Sequence, residues 1–170
     1  MNLYLARHGE AVATGGSVVR DAERPLSVRG EEEATLMGRV LAKICPALEM
    51  VITSPLLRAV RTGEIMGNEI SNHPVFSVSN HLAPGFRHKN LYDELVMLCG
   101  DGDVLAVGHQ PDLSGFIAYL ISGSTTAPVS VAMVPGAVAR LTVRSGKSRP
   151  DVALEWLLTP QVAKTLLLTG

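Results

Sequence analysis

The 170-residue sequence has no long apolar run and only two cysteines. No apolar stretch reaches the roughly 18 residues that a membrane-spanning helix requires, and the first residues lack the features of a secretion signal. Cys45 and Cys99 lie far apart, and neither belongs to a CxxC pair. A disulfide framework and a cysteine-based zinc site are therefore excluded as organising features. We expect two reduced thiols in a cytoplasmic protein.

An excess of charge of one sign is also missing. The 15 lysines and arginines nearly balance the 16 aspartates and glutamates, which gives a formal net charge of −1. Nucleic-acid binding requires a basic field, so we predict neither a nucleic acid nor a membrane as a partner. Charged residues make up 18% of the chain and apolar residues 46%, which is typical of a folded protein. The length predicts one domain over residues 1–170 and leaves the oligomeric state open.

Short apolar segments alternate with helical patterns up to about residue 121. Strands are predicted at 2–6, 50–53, 75–78, 103–107, 129–134, 137–143 and 151–158, and helices at 28–44, 55–68, 91–98 and 112–121. Ser27 and Ser54 are predicted N-caps, and loops are predicted at 11–26 and 79–90. The late strands have connections too short for crossover helices, so we expect antiparallel pairing there. The pattern predicts an α/β fold with three layers, α/β/α, around a mixed, mostly parallel sheet.

Three polar clusters follow predicted strands. They are Arg7-His8-Gly9-Glu10, the segment from Ser54 to Thr62 with Arg58 and Arg61, and Gly108-His109-Gln110-Pro111. Because the carboxyl ends of parallel strands meet at one edge of a sheet, we expect the three clusters to converge. The sequence therefore predicts two histidines and at least two arginines around one crevice.

These residue types indicate phosphoryl chemistry. Guanidinium groups match tetrahedral oxyanions and stay charged, and a histidine in such a pocket can attack phosphorus as a nucleophile. Nearby positive charge lowers the pKa of that histidine and stabilises negative charge on the transferred oxygens. The sequence has no Walker loop and no acidic cluster that would hold Mg²⁺. A histidine metal site is disfavoured, because arginines beside His8 and His109 would repel a cation.

The ordered set of motifs resembles the histidine phosphatase superfamily, which has the phosphoglycerate-mutase-like fold. Leu5-Ala6-Arg7-His8-Gly9-Glu10 resembles the signature of this superfamily. Its second motif is resembled by Ser54-Pro55-Leu56-Leu57-Arg58-Ala59 with Thr62, and its third motif by Gly108-His109-Gln110-Pro111. Arg24-Pro25-Leu26-Ser27 with Gly30 is similar to a segment of its compact, SixA-like branch of phosphohistidine phosphatases. The resemblance covers residues 3 to about 120.

The resemblance implies a role for each matching residue. His8 would be the nucleophile that becomes transiently phosphorylated, and Arg7, Arg58 and His109 would grip the phosphoryl oxygens as catalytic residues. The predicted substrate-binding residues are Arg7, Gly9, Arg58 and His109. The resemblance implies no metal and no organic cofactor.

One departure from the wider superfamily bears on the substrate. Many members carry an acid in a longer segment between the third and fourth strands, where Asn80-His81-Leu82-Ala83-Pro84-Gly85 has no carboxylate. A general acid contributes about 10²–10⁴-fold, so an enzyme without one needs an easily displaced leaving group. The imidazole of phosphohistidine is such a group, since imidazolium has a pKa of about 6.5. The predicted substrate is phosphohistidine on a signalling protein, such as the phosphotransfer domain of a phosphorelay.

Several alternatives stay open at this point. Glu10, His81, His88 or Asp112 could still donate a proton, which would fit a small-molecule phosphomonoesterase of the same superfamily. A non-catalytic phosphate- or phosphohistidine-binding module is a third possibility, although binding alone would not require the nucleophile. We expect Trp156 in the core or on a sheet face, and the role of residues 159–170 is open.

Overall fold

The computed structural model describes residues 1–14, 20–124, 129–144 and 151–168. These residues form the strands β1 (Asn2–Arg7), β2 (Leu48–Thr53), β3 (Val75–Val78), β4 (Asp103–Gly108), β5 (Val138–Arg144) and β6 (Asp151–Leu158). They also form the helices α1 (Val28–Ile44), α2 (Leu57–Asn68), α3 (His88–Cys99), α4 (Asp112–Ser122) and α5 (Pro160–Leu168). Short 3-10 turns lie at Asp21–Glu23 and Asn80–Leu82. No helix in the described ranges is long and apolar enough to cross a membrane.

The strands form one sheet in the order β3-β2-β4-β1-β5-β6. The first four strands in this order are parallel, whereas β5 and β6 are antiparallel to their neighbours. Arg7 is in register with Gly108 and Thr53 is in register with Val107, so β1, β2 and β4 end at the same edge. The predicted mixed, mostly parallel sheet is confirmed.

Both faces of the sheet are covered by helices, which confirms the three layers. Side chains alternate along a strand, so Leu3 and Leu5 of β1 face one core while Tyr4 and Ala6 face the other. Helices α3 and α4 pack on the first face, and α1, α2 and α5 pack on the second. Burial on both sides explains why the central strands are almost continuously apolar.

The start of α1 agrees with the sequence prediction, whereas the start of α2 differs from it. Ser27 caps α1 as predicted, because its Oγ accepts a hydrogen bond of 3.0 Å from the Gly30 amide. Ser54 was predicted to cap α2, but that helix begins at Leu57, and Leu56 occupies the cap position. The Ser54 amide still donates to the Val107 carbonyl, 2.9 Å away. This contact keeps the chain extended beyond β2 and delays the helix.

The predicted strand at 129–134 is wrong, since the structure has no strand there. Its carbonyl groups accept hydrogen bonds from side chains instead of from a neighbouring strand. The Met133 carbonyl accepts from Arg7 and the Val131 carbonyl accepts from Ser114. Helix α3 also begins at His88, three residues before its predicted start. The hydrogen bonds at residues 129–134 are tertiary contacts that an apolar pattern does not encode.

The C-terminal part of the chain completes the second core. Trp156 is partly buried and lies 6.0 Å from the ring of Tyr4, in agreement with the predicted core or sheet position. Helix α5 packs against α1 through the buried Ala163. Residues 145–150, between β5 and β6, lie outside the described residues, as does part of the predicted loop at 11–26.

Candidate active site

The ends of β1 and β4 hold two histidines beside each other. His8 follows β1, and its amide donates to the Gly108 carbonyl at the end of β4, 3.1 Å away. The Gly136 amide donates to the His8 carbonyl at 3.1 Å and fixes the backbone from the other side. His109 follows β4 directly, and its ring centroid lies 5.1 Å from that of His8. Parallel pairing of β1 and β4 therefore places both imidazoles in one crevice.

Hydrogen bonds determine the tautomer of His8. Its Nδ1 lies 2.7 Å from the Gly9 carbonyl oxygen, which can only accept. Its Nε2 accepts from Nε of Arg58 at 3.2 Å. The proton is therefore on Nδ1, and Nε2 carries a lone pair that faces the crevice.

The surroundings of His8 keep its ring neutral. Burial lowers the pKa of His8 to about 4, and the positive charges of Arg58, Arg7 and Arg24 act in the same direction. The hydrogen bond to the Gly9 carbonyl opposes this change only in part. At neutral pH Nε2 consequently keeps an unprotonated lone pair, which attack on an electrophile requires.

His109 is held through Ser54, at the end of β2. His109 is 3% exposed, and its Nε2 lies 2.7 Å from the Ser54 hydroxyl oxygen. That oxygen accepts from the Leu56 amide at 3.3 Å and carries a proton that it can donate to Nε2 of His109. When Ser54 donates in this way, the other ring nitrogen of His109, Nδ1, carries a proton. Burial, followed by the charges of His8 and Arg58, lowers the pKa of His109 to about 3.

Arg58 lies in the first turn of α2 and is almost completely buried. Its Nη1 donates to the Asp21 carbonyl oxygen at 2.7 Å, and its Nη2 donates to Oδ2 of the same residue at 3.0 Å. The Arg58 carbonyl accepts from the Thr62 hydroxyl at 2.7 Å, which ties the helix turn to the site. The guanidinium orientation is thus fixed at three nitrogens, counting the bond to His8.

Arg7 approaches from the end of β1. Its Nη1 donates to the Met133 carbonyl at 2.8 Å. Nε of Arg7 and Nδ1 of His109 are both buried without a hydrogen-bond partner among the described residues. Burial lowers the pKa of Arg7 from its ordinary value, but a guanidinium group keeps its charge at neutral pH. Neither atom is used in a hydrogen bond among the described residues, so each is left for a partner that reaches it.

Gly9 supports His8, and its predicted contact with substrate stays a prediction. Its carbonyl accepts from His8, and its amide donates to the Thr62 hydroxyl at 3.0 Å, so both polar groups are used within the protein. A Cβ atom at this position would lie 2.8 Å from the Gly30 carbonyl oxygen. The absence of a side chain therefore permits close packing of the first motif against α1.

The four candidate proton donors lie in different surroundings. Glu10 accepts from the Ser27 hydroxyl at 2.8 Å, and Asp112 accepts from the Gly85 amide at 2.9 Å. His81 faces the Glu94 carboxylate at 3.3 Å, and His88 packs against Phe86, Phe116 and Tyr119. In the described part of the chain, none of the four donors forms a hydrogen bond with His8, Arg58 or His109.

Sequence reasoning missed Asp21, which accepts two hydrogen bonds from Arg58. It lies in the predicted loop at 11–26, where no periodic pattern distinguishes it. Its one signal is the position three residues before Arg24, the first residue of the segment that resembles the SixA-like branch. Arg61 turns away from the crevice and pairs with Glu31 at 2.9 Å and with Glu64 at 3.5 Å. Across the described ranges, no group of three or more His, Cys, Asp and Glu side chains could hold a metal ion.

The sequence and the fold both match known proteins. The sequence model of the histidine phosphatase superfamily (branch 1) matches residues 3–80. Phosphohistidine phosphatase SixA of Escherichia coli strain K12 is 31% identical, over 74% of this chain and 77% of the relative. An uncharacterised protein of Picosynechococcus sp. strain PCC 7002 is 36% identical, over 74% of this chain and 76% of the relative. The structure of the protein histidine phosphatase SixA complexed with tungstate superposes with a TM-score of 0.81 at 26% identity, covering 95% of this chain and 98% of the other.

Proposed function

Because the chain belongs to the histidine phosphatase superfamily, we propose that it hydrolyses phosphohistidine on a signalling protein through a covalent phospho-His8 intermediate. Family membership and the similarity to SixA support phosphatase activity. The observation that carries the proposal is the lone pair on Nε2 of His8, which lies 3.2 Å from a buried guanidinium nitrogen. A neutral imidazole beside a fixed positive charge is the arrangement that nucleophilic attack on a phosphoryl group requires.

In the first step, Nε2 of His8 attacks phosphorus. A bond forms between this nitrogen and phosphorus while the bond from phosphorus to the substrate nitrogen breaks. The departing imidazole takes the electron pair of that bond and leaves as a neutral ring, because its other nitrogen already carries a proton, so no acid has to protonate it. Nδ1 of His8 keeps its own proton and donates a hydrogen bond to the Gly9 carbonyl oxygen, 2.7 Å away. This hydrogen bond stabilises the positively charged ring of the intermediate.

The arginines and His109 stabilise the transferred phosphoryl group. When the lone pair of His8 bonds to phosphorus, Nε–H of Arg58 loses its acceptor and becomes free to donate to a phosphoryl oxygen. Nε of Arg7 and Nδ1 of His109 are buried and have no hydrogen-bond partner in the part of the chain that the structure describes, and an unpaired buried polar group is costly. Phosphoryl oxygens would satisfy both atoms, so these donors favour the anion and the transition state. Tungstate, bound by the similar SixA structure, is also a tetrahedral oxyanion.

In the second step, water attacks the phospho-His8 intermediate. Its oxygen bonds to phosphorus, and the electron pair of the phosphorus–nitrogen bond returns to Nε2. Both protons of the water leave with dihydrogen phosphate, and the neutral ring of His8 is restored. No residue other than those already placed around the crevice is required to hold the transferred group.

The substrate assignment rests on the leaving group. The segment 80–85 carries no carboxylate, and its one titratable side chain, His81, is turned to Glu94. An alkoxide leaving group would need a positioned acid, whereas an imidazole needs far less assistance. The similarity to a phosphohistidine phosphatase supports the same substrate class. We therefore propose a phosphotransfer domain of a cytoplasmic phosphorelay as the partner.

A substrate comparison tests this proposal. The protein is incubated with a phosphohistidine-bearing phosphotransfer domain and, separately, with a sugar phosphate, and phosphate release is followed over time. We expect release from the phosphotransfer domain, and no release with His8→Ala. His73→Ala is the matched control, because His73 is exposed near the start of β3, at the opposite edge of the sheet. Rapid hydrolysis of the sugar phosphate, with no release from the phosphotransfer domain, would reject phosphohistidine as the substrate and support a small-molecule phosphomonoesterase.

A further inference from the structure

The 3-10 turn at Asp21–Glu23 packs against α2, which carries Arg58. Asp21 accepts two hydrogen bonds from this arginine, one at its carbonyl oxygen (2.7 Å) and one at Oδ2 (3.0 Å). A single residue thus receives both terminal nitrogens of the guanidinium group. With Nη1 and Nη2 held in this way, Nε–H is directed at Nε2 of His8, because the guanidinium group is planar.

The other carboxylate oxygen of Asp21 holds a second arginine. Nη1 of Arg24 donates to Oδ1 of Asp21 at 3.1 Å, and Nε of Arg24 donates to the Val12 carbonyl at 2.7 Å. The carboxylate therefore bridges two guanidinium groups. Hydrogen bonds from Arg24 and Arg58 hold the pKa of Asp21 below its ordinary value, so it is ionised at neutral pH.

A carboxylate at this place works against anion binding. The side chain of Arg58 is 6% exposed and that of Asp21 is 57% exposed, so the ion pair extends from the crevice to its rim. Like charges repel, and a phosphoryl group held by Arg58 would lie close to the Asp21 carboxylate. A site built only for affinity would not keep this charge. The Asp21 carboxylate is explained if the orientation of Arg58 contributes more to the reaction than tight binding of the substrate in its ground state.

We propose that Asp21 is a positioning residue, which holds the guanidinium group of Arg58 in the orientation that transfers the phosphoryl group to His8. This inference rests on the proposed function. Asp21 touches neither substrate nor phosphorus and acts through Arg58. It favours the transition state at the expense of affinity for phosphate, since only interactions that strengthen in the transition state accelerate the chemical step.

The substitution Asp21→Asn tests the role because it removes the charge and keeps the size of the side chain. We expect kcat to fall by roughly tenfold or more, because small misplacements of a catalytic group are costly. We expect the dissociation constant of inorganic phosphate, measured by calorimetry, to stay the same or to decrease, because a repelling charge is lost. Asp21→Glu keeps the charge and should retain more of the wild-type kcat.

Glu23→Gln is the matched control. Glu23 lies in the same turn, and its ion pair with Arg20 at 3.4 Å is exposed on both sides (77% for Arg20 and 58% for Glu23). We expect wild-type kcat and wild-type phosphate affinity, since exposed pairs contribute little. Thermal melts of all variants verify that they are folded.

The outcomes separate the two proposals. A lower kcat with unchanged or tighter phosphate binding in Asp21→Asn supports the positioning role. An unchanged kcat, or a loss of kcat together with weaker phosphate binding, overturns that role. If the wild type releases no phosphate from the phosphotransfer domain, the proposed function itself fails. An active wild type with an unaffected Asp21→Asn variant contradicts the role of Asp21 alone.

Discussion

Mild acid should destabilise this protein because it protonates histidines that the folded state keeps neutral. The pKa of His8 is about 4 in the folded protein and about 6.5 in an unfolded chain. The unfolded state therefore binds more protons between these two values, and the free energy of unfolding falls as the pH decreases through this window. The full stabilisation is present above about pH 6.5.

The size of the effect follows from the same values. At about 1.4 kcal/mol for each pH unit, His8 alone accounts for a loss of about 2 kcal/mol by pH 5 and about 3 kcal/mol by pH 4. His109 is more deeply buried and has a pKa of about 3, so it adds a loss of the same sign. The two rings interact, so their contributions do not simply add.

Urea denaturation at pH 7 and pH 5 measures the effect, for the wild type and for His8→Gln. Glutamine does not titrate, so the variant should lose about 2 kcal/mol less than the wild type over this interval. Carboxylates that titrate in the same range contribute equally to both proteins and cancel in the difference. Equal losses of stability in the two proteins would show that His8 is not held neutral by the fold.

Three further predictions concern single positions. Ser54→Ala removes the hydrogen bond to His109 and should lower kcat by roughly tenfold, whereas Ser54→Thr keeps the hydroxyl and most of the activity. Gly30→Ala should lower the free energy of unfolding by about 1–3 kcal/mol in chemical denaturation, because the added Cβ would overlap the Glu10 carbonyl oxygen. This loss is expected although alanine favours helices over glycine. A stabilised variant would contradict the packing at this position. Burial raises the pKa of Cys45 to about 11, so iodoacetamide at pH 8 should label this thiol slowly in the folded protein and fast in urea, and equal rates would disprove its burial.

The catalytic arrangement follows from the sequence because local motifs coincide with strand ends. His8 and His109 follow apolar runs that predict buried strands, and a parallel sheet brings the ends of such strands together. Arg58 opens the helix that follows β2, so the same rule places it at the same edge. The apolar periodicity and the order of the motifs were therefore sufficient to predict the parallel part of the sheet and this part of the site.

The contacts that orient these groups do not follow from the sequence. Asp21 meets Arg58 across 37 positions of the chain, and Ser54 meets His109 across 55. A serine before a proline predicts a helix cap. The hydrogen bond of Ser54 with a distant histidine has no local sequence pattern. The segment 129–134 alternates like a strand, yet its carbonyl groups are used by the side chains of Arg7 and Ser114. Tertiary hydrogen bonds override local preference at these places.

Trapping the phosphorylated enzyme tests the central claim most directly. The protein is mixed for milliseconds with a phosphotransfer domain carrying ³²P-phosphohistidine, the reaction is quenched under alkaline conditions that preserve phosphohistidine, and the labelled peptide is mapped by mass spectrometry. We expect transient label on His8 that decays as free phosphate appears, and no label in His8→Ala. Phosphate release from the wild type with label on another residue, or with no labelled enzyme at any time, would contradict the account.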